Sequence, residues 1–318
     1  MGELAIDQGR IAKGKELWPA VSVVVPTRDR PLLLRRAVEG ILQQRYSGLI
    51  ECIVVFDQTP PQMPPMEPPE ARSVRPVTND RTPGLAGARN AGILASRGEL
   101  VAFCDDDDEW LPDKLRLQVE ALMAGPAAVA SCGLYIDYEG RTVRRVPQTA
   151  AVTLAQLRRS RVMEIHPSTI LVRRADLLGP IGLVDESIPG SYAEDYEWLL
   201  RAARVGPVAV VRSPLVRVRW HRSSWFEGQW RTIVAALEYL LRKHPDFRQD
   251  RRGLARILGQ IAFAHAASGN PSAARRWAIR SIRSSWRERR AYLALAVSAG
   301  ALRPDTVLRL AHARGRGI

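Results

Sequence analysis

Four consecutive aspartates at positions 105–108 follow the apolar run at 100–104. Their like charges repel one another, so the structural explanation is a solvated acidic turn that caps the next helix. The functional alternative is a hard-cation site, because carboxylate oxygens suit Mg²⁺ or Mn²⁺. Asp105 and Asp107 are two residues apart on an extended chain and can point to the same side. The run predicts a Mg²⁺ or Mn²⁺ site with Asp105 and Asp107 as ligands, while Asp108 belongs to the turn into the next helix.

The elements that would position these aspartates belong to an α/β pattern. Apolar runs at 21–25, 51–55 and 100–104 predict buried strands, and a small-residue segment at 85–96 predicts a helix. Strands of this kind separated by helices are typical of parallel βαβ units. Ligands bind outside the carboxyl ends of such strands, so we expect Asp57 and Asp105 at the same edge of the sheet.

The later part of the chain continues this pattern and then changes. Residues 58–69 contain six prolines and predict a surface loop. Residues 208–211 and 215–218 predict two short strands, and the pattern from about residue 225 onwards predicts helices only. We therefore expect an α/β domain followed by an all-α C-terminal region.

Composition is that of a soluble globular protein, with 46% hydrophobic and 25% charged residues in 318. The three cysteines are far apart and predict small core residues of a reduced protein. The N-terminal residues carry charges throughout, and no uncharged window is longer than 18 residues, short of the about 20 apolar residues that a membrane span needs. The expected location is the cytoplasm.

Positive charge is concentrated at the C-terminus. Residues 225–318 hold 18 Lys and Arg against 6 Asp and Glu, out of 47 against 33 in the whole chain. This asymmetry indicates a region facing something anionic. Arginines there alternate with Trp230, Trp277 and Trp286, which suits either a solvated helical bundle or a peripheral membrane contact at the inner face of the membrane.

Four segments in this order resemble the family-2 inverting glycosyltransferases with the GT-A fold: VSVVVPTRDR, ECIVVFDQTP, PGLAGARNAGILASRGELVAFCDDDDEWLPDKL and AEDYEWLLRA. The resemblance implies a Rossmann-like mixed sheet flanked by helices over residues 20–224. An N-terminal extension at 1–19 and a basic helical region at 225–318 would flank this domain. It also implies a UDP- or dTDP-linked sugar donor and a glycan, lipid-linked or small-molecule acceptor.

The resemblance also implies where the donor lies. Pro26, Thr27 and Asp57 match positions that line the nucleobase pocket, and Arg89 matches a segment beside the donor diphosphate. The family commonly has two acidic residues after its second strand, whereas this chain has Phe56 at the first of these positions. Nucleobase recognition is therefore left mainly to Asp57.

The remaining implied roles concern the reaction. Asp105-Asp106-Asp107 matches the DXD motif of the family, with Asp107 as the direct metal ligand. From its place in the run, Asp106 is expected to turn toward the donor sugar or the loop. Asp195 matches the catalytic base that takes a proton from the acceptor hydroxyl. From residue type alone Asp195 could instead be a carboxylate favoured at a helix N-terminus. His221 is either a loop histidine or a third metal ligand.

Three other functions would each explain part of the sequence. A nucleotidyltransferase also uses an acidic metal site, but the basic phosphate-binding loop that it needs is not evident. A basic nucleic-acid-binding protein would explain the C-terminal charge and leave the aspartates without a purpose. A scaffold with an inactive transferase domain is a third alternative. We expect a transferase that does not bind nucleic acid.

Overall fold

The computed structural model describes residues 18–138, 140–220 and 228–312. The strands within these ranges are β1 (Val21–Thr27), β2 (Ile50–Phe56), β3 (Arg72–Thr78), β4 (Leu100–Phe103), β5 (Glu109–Trp110), β6 (Val129–Tyr138), β7 (Arg141–Arg145), β8 (Ala151–Val152), β9 (Leu171–Arg173) and β10 (Val208–Arg219). The α-helices are α1 (Pro31–Leu42), α2 (Leu85–Ala95), α3 (Lys114–Met123), α4 (Leu154–Arg159), α5 (Arg174–Leu178), α6 (Glu194–Val205), α7 (Trp230–Lys243), α8 (Arg251–Ala267), α9 (Pro271–Ser284), α10 (Arg289–Ser298) and α11 (Pro304–His312).

All these strands form one mixed sheet in the order β3-β2-β1-β4-β9-β6-β10-β5, with β7 on β6 and β8 on β10. The strands β3, β2, β1 and β4 are parallel, whereas β9 runs antiparallel between β4 and β6. From α7 onward the described residues form helices and no strand. The predicted α/β class with a helical C-terminal region is confirmed.

Alternation along β1 explains why helices cover both faces of the sheet. Side chains of successive strand residues point to opposite faces. Val24 belongs to the hydrophobic cluster that includes α2 and α6, whereas Val23 and Val25 belong to the cluster with α1 and α3. All three valines are fully buried.

Two strand predictions were wrong in detail. The edge strand β3 was not predicted, because Arg72, Arg75 and Pro76 interrupt the apolar pattern of this half-exposed segment. The two short strands expected at 208–211 and 215–218 form the single strand β10, whose pairing with β6 shifts register around Pro214.

The sheet brings the predicted site residues to one edge. Thr27 at the end of β1 lies opposite Phe56 at the end of β2. The amide of Asp57 donates to the carbonyl of Thr27 at 3.0 Å, and the amide of Cys104 donates to that of Val24 at 3.1 Å. Asp57 and Asp105 therefore lie at the same edge, as predicted.

The C-terminal helices pack against the α/β part of the chain. Leu237 of α7 and Ile261 of α8 are buried in the same cluster as Leu200 of α6. The predicted domain boundary between residues 224 and 225 lies outside the described residues. Within the described ranges, no helix combines the length and apolar character that crossing a membrane requires.

A buried carboxylate reinforces this contact. Glu197 of α6 is 0% exposed and accepts hydrogen bonds from Arg201 and from His244, which directly follows α7. Lys243 of α7 lies 2.9 Å from the same carboxylate. Burial alone would raise the pKa of Glu197, but the hydrogen bonds from His244 and Arg201 outweigh it and lower the pKa to about 2.

We expect Glu197→Gln to lower the free energy of unfolding by about 3 kcal/mol at neutral pH, because it leaves the partly buried Arg201 and Lys243 without the charge of this buried carboxylate. The pKa of Glu197 in the folded protein lies below its ordinary value of 4.5. The extra stability of the wild type over Glu197→Gln is therefore complete above pH 4.5. It should shrink as the pH falls toward about 2. Urea unfolding at pH 7 and pH 3 measures both effects. Glu120→Gln, at an exposed ion pair with Arg116, is the control and should change stability little. Equal stability of the wild type and Glu197→Gln at pH 7 would contradict the prediction.

Candidate active site

A cleft of about 1130 Å³ opens beside the C-terminal end of β4. Its walls include Arg89 of α2, Asp105 after β4, His166, and Glu194 and Asp195 at the start of α6. These residues are far apart in the sequence, and three of them, Arg89, Asp105 and Asp195, were predicted site residues.

A buried ion pair network organises this wall of the cleft. Arg89 is 4% exposed and donates to Asp105 at 2.9 Å and to Glu194. The helix that carries it lies close to β1, since a Cβ on Gly92 would lie 2.3 Å from a methyl carbon of Val24. Burial lowers the pKa of Arg89, but the charges of Asp105 and Glu194 outweigh it and raise the pKa overall. Arg89 therefore stays charged and joins the end of β4 to the start of α6.

The pKa values of the two adjacent acids at the start of α6 are shifted in opposite directions. Burial raises the pKa of Glu194 to about 7, with Arg89 opposing and Asp195 adding to the effect. Burial also favours the neutral form of Asp195, but Arg161 and Arg89 outweigh it and lower its pKa. Arg161 donates to both oxygens of Asp195, at 2.9 and 2.6 Å. Asp195 is thus held as a carboxylate facing the cleft.

The first half of the aspartate run faces two different partners. Asp105 accepts from Arg89, whereas Asp106 accepts from the hydroxyl of Thr27 at 2.7 Å and from Arg30 at 3.2 Å. Asp106 is 5% exposed, and burial raises its pKa to about 6 despite the hydrogen bond from Thr27. Thr27 and Asp106, both predicted to bind the donor, are therefore in direct contact.

The last two aspartates of the run, Asp107 and Asp108, also have different hydrogen-bond partners. Asp107 accepts a hydrogen bond from Arg30 at 3.1 Å, and its side chain is 18% exposed. Asp108 was expected in the turn into the next helix, but its carboxylate is buried and accepts from the Ser168 hydroxyl at 2.5 Å. Burial, followed by the charges of Asp105 and Asp107, raises the pKa of Asp108 well above its usual value.

A cluster with metal-ligand character lies at this point. One ligand atom each of Asp105, Asp108 and His166 lie within 4.8 Å of one another. Burial lowers the pKa of His166, which favours the neutral imidazole that coordinates metals. Carboxylate oxygens with an imidazole suit a divalent cation, and a cation there would favour the ionised form of the buried Asp108 carboxyl. The residues present fit Mg²⁺ or Mn²⁺.

This cluster differs in membership from the predicted metal site. It contains Asp105 but not Asp107. His166, which was not a predicted ligand, and Asp108 take part because Ser168 and the turn at 167–169 bring them together. No spacing in the sequence connects residues 108 and 166. His221, the third predicted ligand, lies outside the described residues.

The predicted nucleobase residues lie on the neighbouring strands. Pro26 and Thr27 end β1, and the carboxylate of Asp57 follows β2 and is 7% exposed. It accepts from the side chain of Asn79 at 2.7 Å and from the amide of Gly84 at 3.0 Å. Asn79 was not among the predicted site residues because it follows β3, the strand that was not predicted.

Comparisons with known proteins match parts of the chain to glycosyltransferases. Residues 22–178 match the model of glycosyl transferase family 2. The chain is 35% identical over 142 residues to the succinoglycan biosynthesis protein ExoO of Rhizobium meliloti (strain 1021), covering 44% of this chain and 40% of that protein. It is 28% identical over 105 residues to the Escherichia coli protein WfgD, named as a UDP-Glc:alpha-D-GlcNAc-diphosphoundecaprenol beta-1,3-glucosyltransferase, covering 32% and 41%. The matches thus span less than half of these relatives.

A solved structure resembles most of this chain. The structure of Staphylococcus aureus TarS 1-349 in complex with UDP-GlcNAc superposes with a TM-score of 0.56 at 16% identity, over 93% of this chain and 92% of that one. At this identity the likeness concerns the fold. It confirms the predicted GT-A fold.

We expect Arg89→Met to lower the free energy of unfolding by about 3 to 5 kcal/mol, because Glu194 then stays buried without its counter-ion. Adding Glu194→Gln should restore part of the loss, since the amide needs no counter-ion. Urea unfolding of the single and double variants measures this. Arg35→Met, at an exposed ion pair with Glu39, is the matched control and should have little effect. Arg89→Met with wild-type stability would show that the pair contributes nothing.

Proposed function

This chain has a family 2 glycosyltransferase domain with the GT-A fold, and we propose that it transfers a sugar from a nucleotide-diphosphate sugar to an acceptor hydroxyl with inversion. The observation that carries the proposal is the cleft wall on which Arg89 connects Asp105 to the acidic start of α6. The end of this wall at Asp105 suits a phosphate and a cation, and the end at Asp195 offers an ionised carboxylate. Both are needed for displacement of a nucleoside diphosphate by a hydroxyl.

The donor would lie along the strand ends. We place the nucleobase beside Pro26, Thr27 and Asp57, and the diphosphate near Arg89 and Asp106. The uridine nucleotides in the names of WfgD and of the TarS complex support a UDP-linked donor. A dTDP-linked sugar would present a similar base to the same pocket.

The metal site of the proposal is built around Asp105. Asp105, Asp108 and His166 would hold Mg²⁺ or Mn²⁺, and Asp107 would add an oxygen ligand after its ion pair with Arg30 opens. When bound, a divalent cation stabilises the negative charge that develops on the leaving diphosphate. His221 stays a further candidate ligand.

Asp195 is the proposed general base. Its lowered pKa keeps it ionised, and Arg161 orients the carboxylate toward the cleft. It would take the proton from the acceptor hydroxyl while that oxygen attacks the anomeric carbon on the face opposite the diphosphate. Attack from that face inverts the configuration, and no covalent sugar intermediate is needed.

The acceptor is proposed to be a glycan or a lipid-linked sugar used in making a cell-envelope polysaccharide. The names of ExoO and WfgD support this class. The C-terminal helices would meet the inner face of the membrane through side chains such as Trp286, which is 67% exposed and has Arg287 5.0 Å from its ring. The family match favours sugar transfer over the nucleotidyltransferase, nucleic-acid-binding and scaffold alternatives.

Asp195→Asn should lower the rate of transfer by about 10²- to 10⁴-fold, because the amide cannot accept the proton of the acceptor hydroxyl. Binding of UDP should be unchanged, since Asp195 does not contact the donor in this proposal. Release of UDP from UDP-sugars in the presence of glycoside and glycosyl diphosphate acceptors gives the rate. Asp113→Asn, at a half-exposed ion pair, is the control and should retain full activity. Full activity in Asp195→Asn would exclude the proposed base.

UDP together with Mn²⁺ should raise the melting temperature by a few degrees, and more than UDP or Mn²⁺ alone, because ligands that bind only the folded state stabilise it. Asp105→Asn should abolish the difference made by the metal. A thermal-shift series with UDP, dTDP and GDP, with and without Mn²⁺ and EDTA, measures both effects. An equal shift by UDP in EDTA would show that donor binding does not depend on the cation.

A further inference from the structure

Three arginines from separate parts of the chain line the active-site cleft beside Asp195. Arg161 lies in the segment after α4, Arg256 on α8 and Arg290 on α10. Arg161 and Arg256 both lie over the ring of Tyr196, at 6.0 and 5.3 Å from its centre. The C-terminal helices therefore contribute cationic groups to the same cleft as the proposed base.

These positive charges are incompletely neutralised. Arg161 is paired with Asp195, and Arg290 lies 3.0 Å from Glu288. In the described part of the chain Arg256 has no carboxylate within 4.0 Å, and its guanidinium donates to the hydroxyl of Tyr196 at 2.8 Å. Burial lowers the pKa of Arg256, Tyr196 opposes this shift, and repulsion from Arg290 and Arg161 adds to it.

Unused hydrogen-bond donors accompany the excess charge. The Nε atoms of Arg256 and Arg290 are buried and have no hydrogen-bond partner within the described residues. A buried donor without a partner costs free energy, as does the close approach of like charges. An anion with several acceptor oxygens would offset both costs.

We propose that Arg161, Arg256 and Arg290 form a binding site for a phosphate or diphosphate group of the acceptor. The planar guanidinium fork matches phosphate oxygens, and three guanidinium groups can neutralise a diphosphate. Arg161 contacts the proposed base directly, so an anion bound here lies on the acceptor side. The donor diphosphate is assigned to Arg89 and the aspartate run. This inference rests on the proposed function and names its acceptor as a sugar carried on a phosphate.

The test compares two matched probes on the full chain. One is N-acetylglucosamine linked through a diphosphate to a phenoxyundecyl chain, and the other is the uncharged phenoxyundecyl glycoside of the same sugar. Binding of each probe, and separately of UDP with Mn²⁺, is measured by calorimetry for the wild type, Arg256→Gln and Arg290→Gln. Arg252→Gln is the matched control, because Arg252 lies on the same helix and is exposed.

The wild type should bind the diphosphate probe about tenfold or more tightly than the neutral one, as charge-assisted hydrogen bonds provide. Arg256→Gln and Arg290→Gln should each lose most of this preference and keep wild-type affinity for UDP, which also shows that they are folded. Arg252→Gln should behave as the wild type. Rising salt should weaken binding of the diphosphate probe but not binding of the neutral glycoside.

Three results would overturn the inference. Equal binding of both probes by the wild type would exclude an anion site. Weaker UDP binding in folded Arg256→Gln, with the probe preference retained, would assign the arginines to the donor. A glucuronide with the same chain that binds more tightly than the diphosphate would assign them to a carboxylate. A wild type that binds no UDP but still prefers the diphosphate probe would contradict the proposed donor chemistry and support this inference.

Discussion

The buried guanidinium of Arg89 is the constraint on which the rest of the site depends. A charge that is 4% exposed requires counter-ions in place, and Asp105 and Glu194 supply them from the end of β4 and the start of α6. Small residues on α2 allow that helix to approach β1 and bring Arg89 to the strand edge. One side chain thus sets the spacing between the two ends of the proposed reaction centre.

The position of α6 is determined from both of its sides. Glu194 and Asp195 in its first turn pair with Arg89 and Arg161, while Glu197 in the same turn pairs with His244 beside α7. Because of this, the C-terminal helices help to position the proposed base. They share a hydrophobic core with α6 and contribute Arg256 and Arg290 to the cleft. The basic character of the C-terminal region therefore has two proposed uses, one inside the cleft and one at the outer surface.

Sequence reasoning succeeded where a pattern is local. Buried strands, the helix with Arg89 and the aspartates at a strand end follow from periodicity over a few residues, and the ordered motifs identified the family. It failed for β3, whose exposed edge position removes the apolar pattern, and hence for Asn79 beside Asp57. His166 was missed because its relation to Asp108 is created by chain reversal between β4 and β9.

By itself the sequence determined the fold class and the residues that lie at the strand ends, because hydrophobic periodicity is encoded over a few residues. The order of the motifs along the chain determined the presence of a glycosyltransferase domain. Only the tertiary structure decided which charges meet. It divided the four aspartates among Arg89, Thr27, Arg30 and Ser168, paired Asp195 with Arg161, and brought arginines of α8 and α10 into the cleft. The physical reason is that charge compensation acts through space at a few ångströms, whatever the separation along the chain.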